Sequence, residues 1–344
     1  MHRRVVWSLC TIAAAILLAR VAVADPVEDF YRGRTMTLII GYSVAGGYDT
    51  YARVLARFMG KHLPGNPKIV PQNMPGAGSL KAANYLYNVA PKDGTTFGIF
   101  ARGLAMEPLI GGSAAQFEAT RFTWIGSGTN EASVFATWHA SPVKSWNDVL
   151  TKPITVGGEG TGSDPDVYAA MLKNMFGAKL KLVTGYPGTA EVALAMERGE
   201  IDGRCAWSWS SLKALKPDWL TGKKVNIPVL MSLDTNPELP DVPLLMHFAS
   251  GDRQRQILRM IWSRQVMGRP FVAPPGIPDD RKQALRKAFD QTMADPEFLA
   301  EAKARGLEVN PVSGVDLDKL IHQIYQTPTD VVAEARAAIA QGAN

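Results

Sequence analysis

Short apolar runs alternate with amphipathic segments along most of the chain. The first such run, Leu38 to Ile40, predicts a buried strand. Apolar positions then return at helical spacing, as at Val54 and Phe58. Similar units of strand, small-residue loop and helix follow at the strands predicted for 95–101 and 154–158. This repetition predicts an α/β fold whose sheets are mostly parallel.

Prolines mark the limits of several predicted elements. The run 68–71 ends in Pro71, and we predict an edge strand there because proline cannot donate to a central ladder. The segment 227–246 is broken by prolines, and no element is assigned to it. A surface helix is predicted at 252–264, and most of the chain after residue 279 is expected to be helical.

The loop after the first strand is the centre of the predicted site. It would place free backbone N–H groups and the positive end of a helix dipole at the carboxyl edge of a sheet, where an anion can bind. Asp49 and Thr50 stand where a helix N-cap belongs, so we expect Asp49 to cap, with recognition of a ligand amine as the alternative. A glycine hinge that binds no ligand is the other interpretation. The candidate ligand-binding residues in this loop are Tyr42, Ser43, Ala45, Gly46 and Asp49.

A second small-residue loop follows the strand predicted at 154–158. Ser163 and Asp166 have the spacing of a capping box, and Pro165 is tolerated in the first turn of a helix. The loop therefore aims a second helix N-terminus at a cleft, and Ser163 is available either as a cap or as a ligand hydroxyl. The candidate ligand-binding residues here are Gly160, Thr161, Gly162, Ser163 and Asp164.

Arg102, Tyr186 and Trp207 complete the candidate set. Arg102 ends a strand beside the first loop, where its guanidinium can grip a carboxylate with two N–H groups. The alternative is an ion pair with Asp49 or Glu107. Tyr186 is either a cleft wall or the start of a turn. Trp207 either walls a ligand pocket or packs under the neighbouring helix.

The first 24 residues have the pattern of an export signal. A positive start at His2-Arg3-Arg4 precedes an apolar segment from Val5 to Ala19, and Ala22-Val23-Ala24 is an A-x-A cleavage site. The apolar segment is too short to span a bilayer. Cleavage near Ala24 would leave Cys205 as the single cysteine, so no internal disulfide can form. An exported chain without disulfides fits a bacterial periplasm.

Composition and charge exclude several classes of protein. The 344 residues are 46% hydrophobic and 20% charged, which is typical of a globular protein. The formal charge of +5 falls to +2 once the three leader arginines are removed, because 34 basic side chains then face 32 acidic ones. The basic residues are scattered along the chain. We therefore expect no nucleic-acid partner.

The sequence gives little support for an enzyme or for a metal or cofactor site. There is no Gly-x-Ser-x-Gly nucleophile elbow, and the histidines lack metal-ligand spacing. Cys205 has no basic partner in sequence and is expected to be a small core residue. Arg204 is expected to face outward, because neighbouring strand positions alternate between faces. We predict no catalytic residues, no metal and no cofactor.

Four sequence blocks are informative together: Gly41–Asp49 with Ala52-Arg53, Asn73–Gly78 with Ala90–Thr96, Tyr186-Pro187-Gly188 with Gly199–Asp202, and Val272–Pro278. In combination they resemble the solute-binding component of tripartite tricarboxylate transporters, the TctC or Bug family. The first block is similar to the family's Pro-Phe-x-x-Gly-Gly-x-x-Asp loop, with Gly41 where proline is usual and Ala45 in place of a glycine. The resemblance runs from about Tyr31 to Asp316.

The resemblance implies a two-lobe, type II periplasmic-binding-protein fold with a ligand cleft between its α/β lobes. Residues 25–128 and 266–344 are expected to form one lobe, and residues 129–265 the other. In the family, carboxylate ligands are held chiefly by backbone groups and waters from one loop of each lobe. Those loops correspond here to Tyr42–Asp49 and Gly158–Asp164.

The function expected from this resemblance is capture of a di- or tricarboxylate, or a related organic acid, for a membrane transporter. The partners would be that small acid and the integral-membrane transporter subunits, and we expect a monomer. Two alternatives stay open. One is a sensor subunit that presents its ligand to a membrane receptor, and the other is a periplasmic enzyme on the same scaffold.

Overall fold

The chain folds around two β-sheets, each at the centre of one lobe. The structure, a computed structural model, describes residues 25–112 and 114–341. The predicted export signal therefore lies outside the described residues. No helix in the described part of the chain is both long and apolar enough to cross a bilayer. The two sheets confirm the predicted two-lobe α/β architecture.

The elements alternate between strands and helices through the first two thirds of the chain, and the last third is mainly helical. The strands are β1 (Thr35–Ile40), β2 (Lys68–Asn73), β3 (Thr96–Ile99), β4 (Thr123–Ser127), β5 (Ser133–Trp138), β6 (Ile154–Gly157), β7 (Leu180–Val183), β8 (Gly203–Ser208), β9 (Val225–Met231), β10 (Pro270–Ala273) and β11 (Val312–Ser313). The helices are α1 (Pro26–Tyr31), α2 (Gly47–Phe58), α3 (Leu80–Asn88), α4 (Glu107–Ile110), α5 (Trp146–Thr151), α6 (Asp164–Phe176), α7 (Thr189–Glu197), α8 (Trp209–Leu215), α9 (Pro217–Thr221), α10 (Asp252–Trp262), α11 (Asp279–Met293), α12 (Pro296–Ala304), α13 (Gly314–Tyr325) and α14 (Thr329–Ile339).

Both sheets are mixed, whereas the sequence predicted mostly parallel ones. The first lobe has the order β11-β4-β10-β3-β1-β2, and the second has β7-β6-β8-β5-β9. The strands joined by helical crossovers are parallel, as expected for βα units. The prediction is wrong for β10 and β5, which are antiparallel to their neighbours. Each of them enters its sheet from the opposite lobe rather than through a helical crossover of its own.

Two proline-containing strands lie at sheet edges. β2 contains Pro71 and lies at the edge of the first sheet, which confirms the edge-strand prediction. β9 contains Pro228 and lies at the edge of the second sheet, and the sequence pattern missed this strand. An edge strand needs only one side of its backbone for the ladder, so it tolerates proline.

Two segments cross between the lobes side by side. The first leads from β4 to β5, and the second contains the short 3₁₀ turn Ser263–Val266 and leads into β10. The backbone amide of Gly268 donates to the Thr129 carbonyl at 2.9 Å, and that of Glu131 donates to the Gln265 carbonyl at 2.9 Å. The two crossings are therefore hydrogen-bonded to each other and are not independent linkers.

The C-terminal helix α14 packs against α6 and α10 of the second lobe. Asn174 on α6 donates to the carbonyl oxygens of Ala338 at 3.1 Å and Ala340 at 2.8 Å. Arg253 on α10 pairs with Glu334 at 2.7 Å. The division of the chain at residues 128 and 266 stays a prediction, and this helix contacts the lobe to which that division does not assign it.

Candidate functional site

The first predicted loop follows β1 and turns directly into α2. The helix begins at Gly47 with Gly46 as its N-cap, so the predicted N-cap at Asp49 and Thr50 is wrong. Asp49 instead lies in the first helical turn, where its carboxylate accepts from the Ala45 amide at 3.0 Å. It also accepts from Arg53 Nε at 2.9 Å and Asn73 Nδ2 at 2.8 Å. The carboxylate is thus engaged within its own lobe, where it holds the loop in shape.

This first loop contacts the second lobe. The Ser43 amide donates to the Pro187 carbonyl at 3.1 Å, and the Ser43 hydroxyl donates to Glu191 at 2.9 Å. Tyr42 is buried and stacks on Tyr48, with 4.8 Å between the ring centroids. Burial raises the pKa of Tyr42 well above its usual range, with a further contribution from Glu159. Tyr42 therefore stays a neutral hydroxyl group.

The second predicted loop, between β6 and α6, is organised by Asp166. One oxygen of this fully buried carboxylate accepts from the amides of Glu159 at 2.7 Å and Gly160 at 3.0 Å, and from the Ser163 hydroxyl at 2.8 Å. Its other oxygen accepts from the Thr184 hydroxyl. Ser163 is the N-cap residue as predicted, but its hydroxyl donates to Asp166 and accepts no amide of the helix.

The second loop in turn contacts the first lobe. The Gly78 amide donates to the Glu159 carbonyl at 2.8 Å. Gly78 has φ +58, and a Cβ atom there would lie 2.7 Å from the Thr161 carbonyl oxygen. Only glycine permits both this left-handed backbone and this close approach. Each predicted loop therefore packs on a different segment of the opposite lobe, with Thr161 exposed at the rim.

Arg102 and Asp164 meet between the two loops as a buried ion pair. The Nε atom of Arg102 lies 2.5 Å from Asp164 Oδ2, and its Nη2 donates to the Ser133 hydroxyl at 2.8 Å. The ion-pair partner of Arg102 is therefore Asp164, and not Asp49 or Glu107, the pairing that the sequence left as an alternative to ligand contact. Burial opposes the charge, but Asp164 outweighs it and holds the pKa of Arg102 above its usual range.

Arg264, on the second crossing, approaches the same carboxylate. Its Nη1 lies 3.5 Å from Asp164 Oδ1, and its Nε donates to the Ile261 carbonyl at 2.8 Å. Tyr168 is buried beside these charges, and burial raises its pKa above the usual range, with a smaller contribution from Asp164. Glu107 also faces Arg264, and burial raises the pKa of Glu107.

A second buried ion pair joins the crossings. Arg269 Nη2 lies 3.0 Å from Glu131 Oε1 and donates to the Ser211 hydroxyl at 2.6 Å. The Arg269 guanidinium also lies 4.8 Å from the centre of the Tyr48 ring. Both charged side chains are almost fully buried. Guanidinium and carboxylate groups are therefore buried together where the two lobes meet.

Trp207 lies in the interior of the second lobe. Its ring packs edge-on against Trp219 of α9, with 5.5 Å between the ring centroids. Arg204 is buried as well, in contrast to its predicted outward orientation, and its Nη1 lies 2.8 Å from Glu159 Oε1. A register shift between β5 and β8, where Ala206 has a positive φ, interrupts the simple alternation on which the prediction rested.

Tyr186 is half-buried, and its amide donates to the Gly158 carbonyl at 3.1 Å. The structure therefore brings Tyr42, Arg102, Ser163 and Asp164 to the region where the two lobes meet, whereas Trp207 lies inside the second lobe. The sequence missed Glu131, Arg264 and Arg269. No local pattern marks them, because they lie on crossings whose pairing is known only from the fold.

A separate open groove of about 1410 Å³ runs along the outer side of α2 and reaches α8. Its lining contains Arg53, Arg57 and Lys303 but neither Arg102 nor Asp164. Within the described ranges, no group of three or more His, Cys, Asp or Glu side chains is arranged to hold a metal ion. The groove is lined by Ala45 and Asp49 of the first predicted loop and by Lys213 of the second lobe, whereas the Arg102–Asp164 pair is buried away from it.

The two lobes and their paired crossings define a two-lobe binding-protein fold. The structure of the periplasmic binding protein BugD is similar to this chain, with a TM-score of 0.72 and 21% sequence identity over 89% of this chain and 98% of that one. MatC from Rhodopseudomonas palustris with bound malate matches with a TM-score of 0.69 and 20% identity, covering 87% and 99% of the two chains. An R. palustris protein solved with adipate has a TM-score of 0.69 and 20% sequence identity, over 90% of this chain and 98% of that one.

The sequence places the chain within this class. Residues 51–336 match the profile of the TctC family, described as the tripartite tricarboxylate transporter family receptor. The protein therefore belongs to the TctC family of solute-binding proteins, as its sequence blocks predicted. Members of this family are periplasmic binding proteins.

Proposed function

We propose that this chain is an exported, non-enzymatic receptor that captures a small organic acid in the periplasm. The observation that carries the proposal is the buried Arg102 guanidinium between the lobes, which is held by a carboxylate at 2.5 Å. A guanidinium fork in a water-poor crevice is suited to a ligand carboxylate. The two fold neighbours solved with malate and with adipate support the same ligand chemistry.

The receptor with its bound acid would dock on the integral-membrane subunits of a tripartite tricarboxylate-type transporter. The family description supports this partner. We expect the receptor to act as a monomer, with the two crossings as its hinge and the two loops closing over the acid. Gly46 would then offer its backbone and Tyr42 its phenol. The amides of Ser43 and Gly160 and the hydroxyls of Ser43 and Ser163 would first have to leave their present acceptors within the protein.

Calorimetric titration of the mature chain tests the ligand class. The acids should include malate, adipate and citrate, with amino acids and aromatic acids in the same series. We expect saturable binding of at least one di- or tricarboxylate. A folded mature chain that bound no acid in this series would contradict the proposal.

Cross-linking in whole cells tests the partner. A tagged receptor should recover integral-membrane transporter subunits, and the yield should rise when the bound acid is present. Recovery of a membrane receptor kinase in place of transporter subunits would favour the sensor alternative.

A further inference from the structure

We infer that Arg102 and Arg264 form a two-guanidinium clamp for a ligand carboxylate, and that Asp164 is an internal competitor for this clamp. The inference rests on the proposed function and adds a third residue to the predicted site. Asp164 would then lower the affinity for the ligand, although its position in the crevice suggests a ligand-binding residue.

The clamp joins three parts of the chain. Arg102 lies in the turn after β3 of the first lobe, Asp164 in the first turn of α6, and Arg264 on the second crossing. All three side chains are less than 10% exposed. The carboxylate is thus held between a residue of the first lobe and a residue of the hinge. A ligand carboxylate bound in this position would contact the first lobe and the hinge at the same time.

Asp164 fills the clamp only in part. Its Oδ2 bonds to Arg102 Nε, while its Oδ1 lies 3.5 Å from Arg264 Nη1 and makes no hydrogen bond with any described residue. Arg102 Nη1 and Arg264 Nη1 are buried and make no hydrogen bond with a described residue either. Buried polar atoms of this kind normally find a partner, so these three atoms mark an incompletely used site.

A tether explains the poor fit. Asp164 turns one oxygen toward each guanidinium, but its carboxyl group stands one CH₂ group from the backbone of α6, and its Oδ1 stays 3.5 Å from Arg264 Nη1. A free ligand carboxylate has no such tether and can present both oxygens. Because Asp164 binds the same donors, a ligand must displace it, and the apparent affinity falls by the fraction of clamps that are free.

The competitor role predicts that removing the charge of Asp164 increases the affinity for the ligand, whereas loss of a buried charged residue usually weakens binding. D164N keeps the size of the side chain but removes its charge. We expect D164N to bind malate or adipate at least tenfold more tightly than the wild-type chain, by calorimetry at constant pH. Damage to the site or loss of a ligand contact can only weaken binding, so tighter binding would be specific to the competitor role. Unchanged or weaker binding would overturn that role.

Two further variants keep the test decisive should D164N fold poorly. R264Q removes one arm of the clamp, and we expect it to weaken binding of the same acid at least tenfold; unchanged binding would overturn the clamp. D318N is the matched control. It removes the carboxylate partner of Arg286, an ion pair of 2.6 Å on α11 and α13, and should leave the affinity unchanged.

The same titrations separate this inference from the proposed function. Binding of an acid by the wild-type chain decides the proposed function, whereas the ratio of the D164N and wild-type affinities decides the competitor role. A wild-type chain that binds malate, together with a D164N chain that binds it no better, would retain the function and reject the competitor.

Discussion

The Asp164 carboxylate forms its ion pairs with side chains that are distant from it in sequence. Arg102 is 62 positions away, and Arg264 approaches from the hinge. Removing one member of a buried ion pair leaves the other charge without compensation, which costs more than the pair itself contributes. Arg102 therefore has two effects that an experiment must separate, one on ligand binding and one on stability.

Replacing Arg102 by Ala should weaken binding of the acid by more than tenfold, or about 1.4 kcal/mol. The substitution should also lower the free energy of unfolding by roughly 3–5 kcal/mol, because Asp164 is left buried with a single distant cation. Calorimetric titration and chemical denaturation measure the two effects. R286A, which breaks an ion pair away from the crevice, should lower stability and retain the affinity. Wild-type affinity in R102A would remove Arg102 from the site.

At the level of single loops and turns, buried carboxylates replace the side-chain caps that the sequence suggested. Asp166 gathers the donors of the second loop, and Asp49 gathers those of the first. A carboxylate can accept several hydrogen bonds at once, so one such residue fixes a loop that has few side chains of its own.

D166N should therefore loosen the second loop. The amide oxygen can replace only part of the acceptor capacity, and we expect a loss of about 1–3 kcal/mol in the free energy of unfolding. Hydrogen exchange at the Glu159 and Gly160 amides should become faster. D148N changes the capping carboxylate of α5 and should leave these two amides protected. Unchanged exchange in D166N would contradict the role of Asp166 as the loop anchor.

Asp295 ties the 3₁₀ turn Met59–His62 to α12. Lys61 lies 2.7 Å and His62 2.8 Å from its carboxylate, and the bond from Lys61 contributes most to holding the pKa of Asp295 below its usual range. A carboxylate with a lowered pKa stabilises the fold above the unfolded pKa of about 4. That stabilisation is lost as the pH falls from there through the folded value.

D295N should consequently show a smaller fall in unfolding free energy between pH 7 and pH 3 than the wild-type chain. Asparagine is also a good N-cap, so the substitution isolates the charge. Denaturation curves at both pH values measure the difference. D252N, at a fully exposed aspartate, is the control and should keep the wild-type fall. An equal fall in D295N would show that this turn contributes nothing to the acid sensitivity.

For the assembled molecule, the contact between Gly78 and the second loop limits how closely the lobes can approach. G78A would place a methyl group 2.7 Å from the Thr161 carbonyl oxygen, at a backbone angle of φ +58. We expect this variant to hold the lobes apart, which should increase the radius of gyration in X-ray scattering and weaken acid binding.

G33A is the matched control for G78A. Gly33 has a similar left-handed φ of +70, but nothing lies within 4 Å of the added methyl group. Its backbone strain should lower stability by roughly 1 kcal/mol without changing the scattering profile. If G78A and G33A gave the same radius of gyration, the Gly78 contact would not control closure.

The sequence was sufficient for the α/β architecture, the edge position of β2 and the family. These follow from periodic apolar spacing, from the missing N–H of proline and from short glycine-rich blocks, all of which are properties of neighbouring residues. The same local patterns predicted the two loops. They did not predict β9, because Pro228 interrupts its pattern and an edge strand tolerates a proline there. They also misplaced the start of α2.

Only the tertiary structure decided which charges meet. Arg102 pairs with Asp164 and not with Asp49 or Glu107, and Glu131, Arg264 and Arg269 join the buried charges from the crossings. Pairing of this kind depends on how two separately folded sheets are placed against each other. No spacing along the chain encodes that placement, because an ion pair needs proximity in space and is indifferent to separation in sequence.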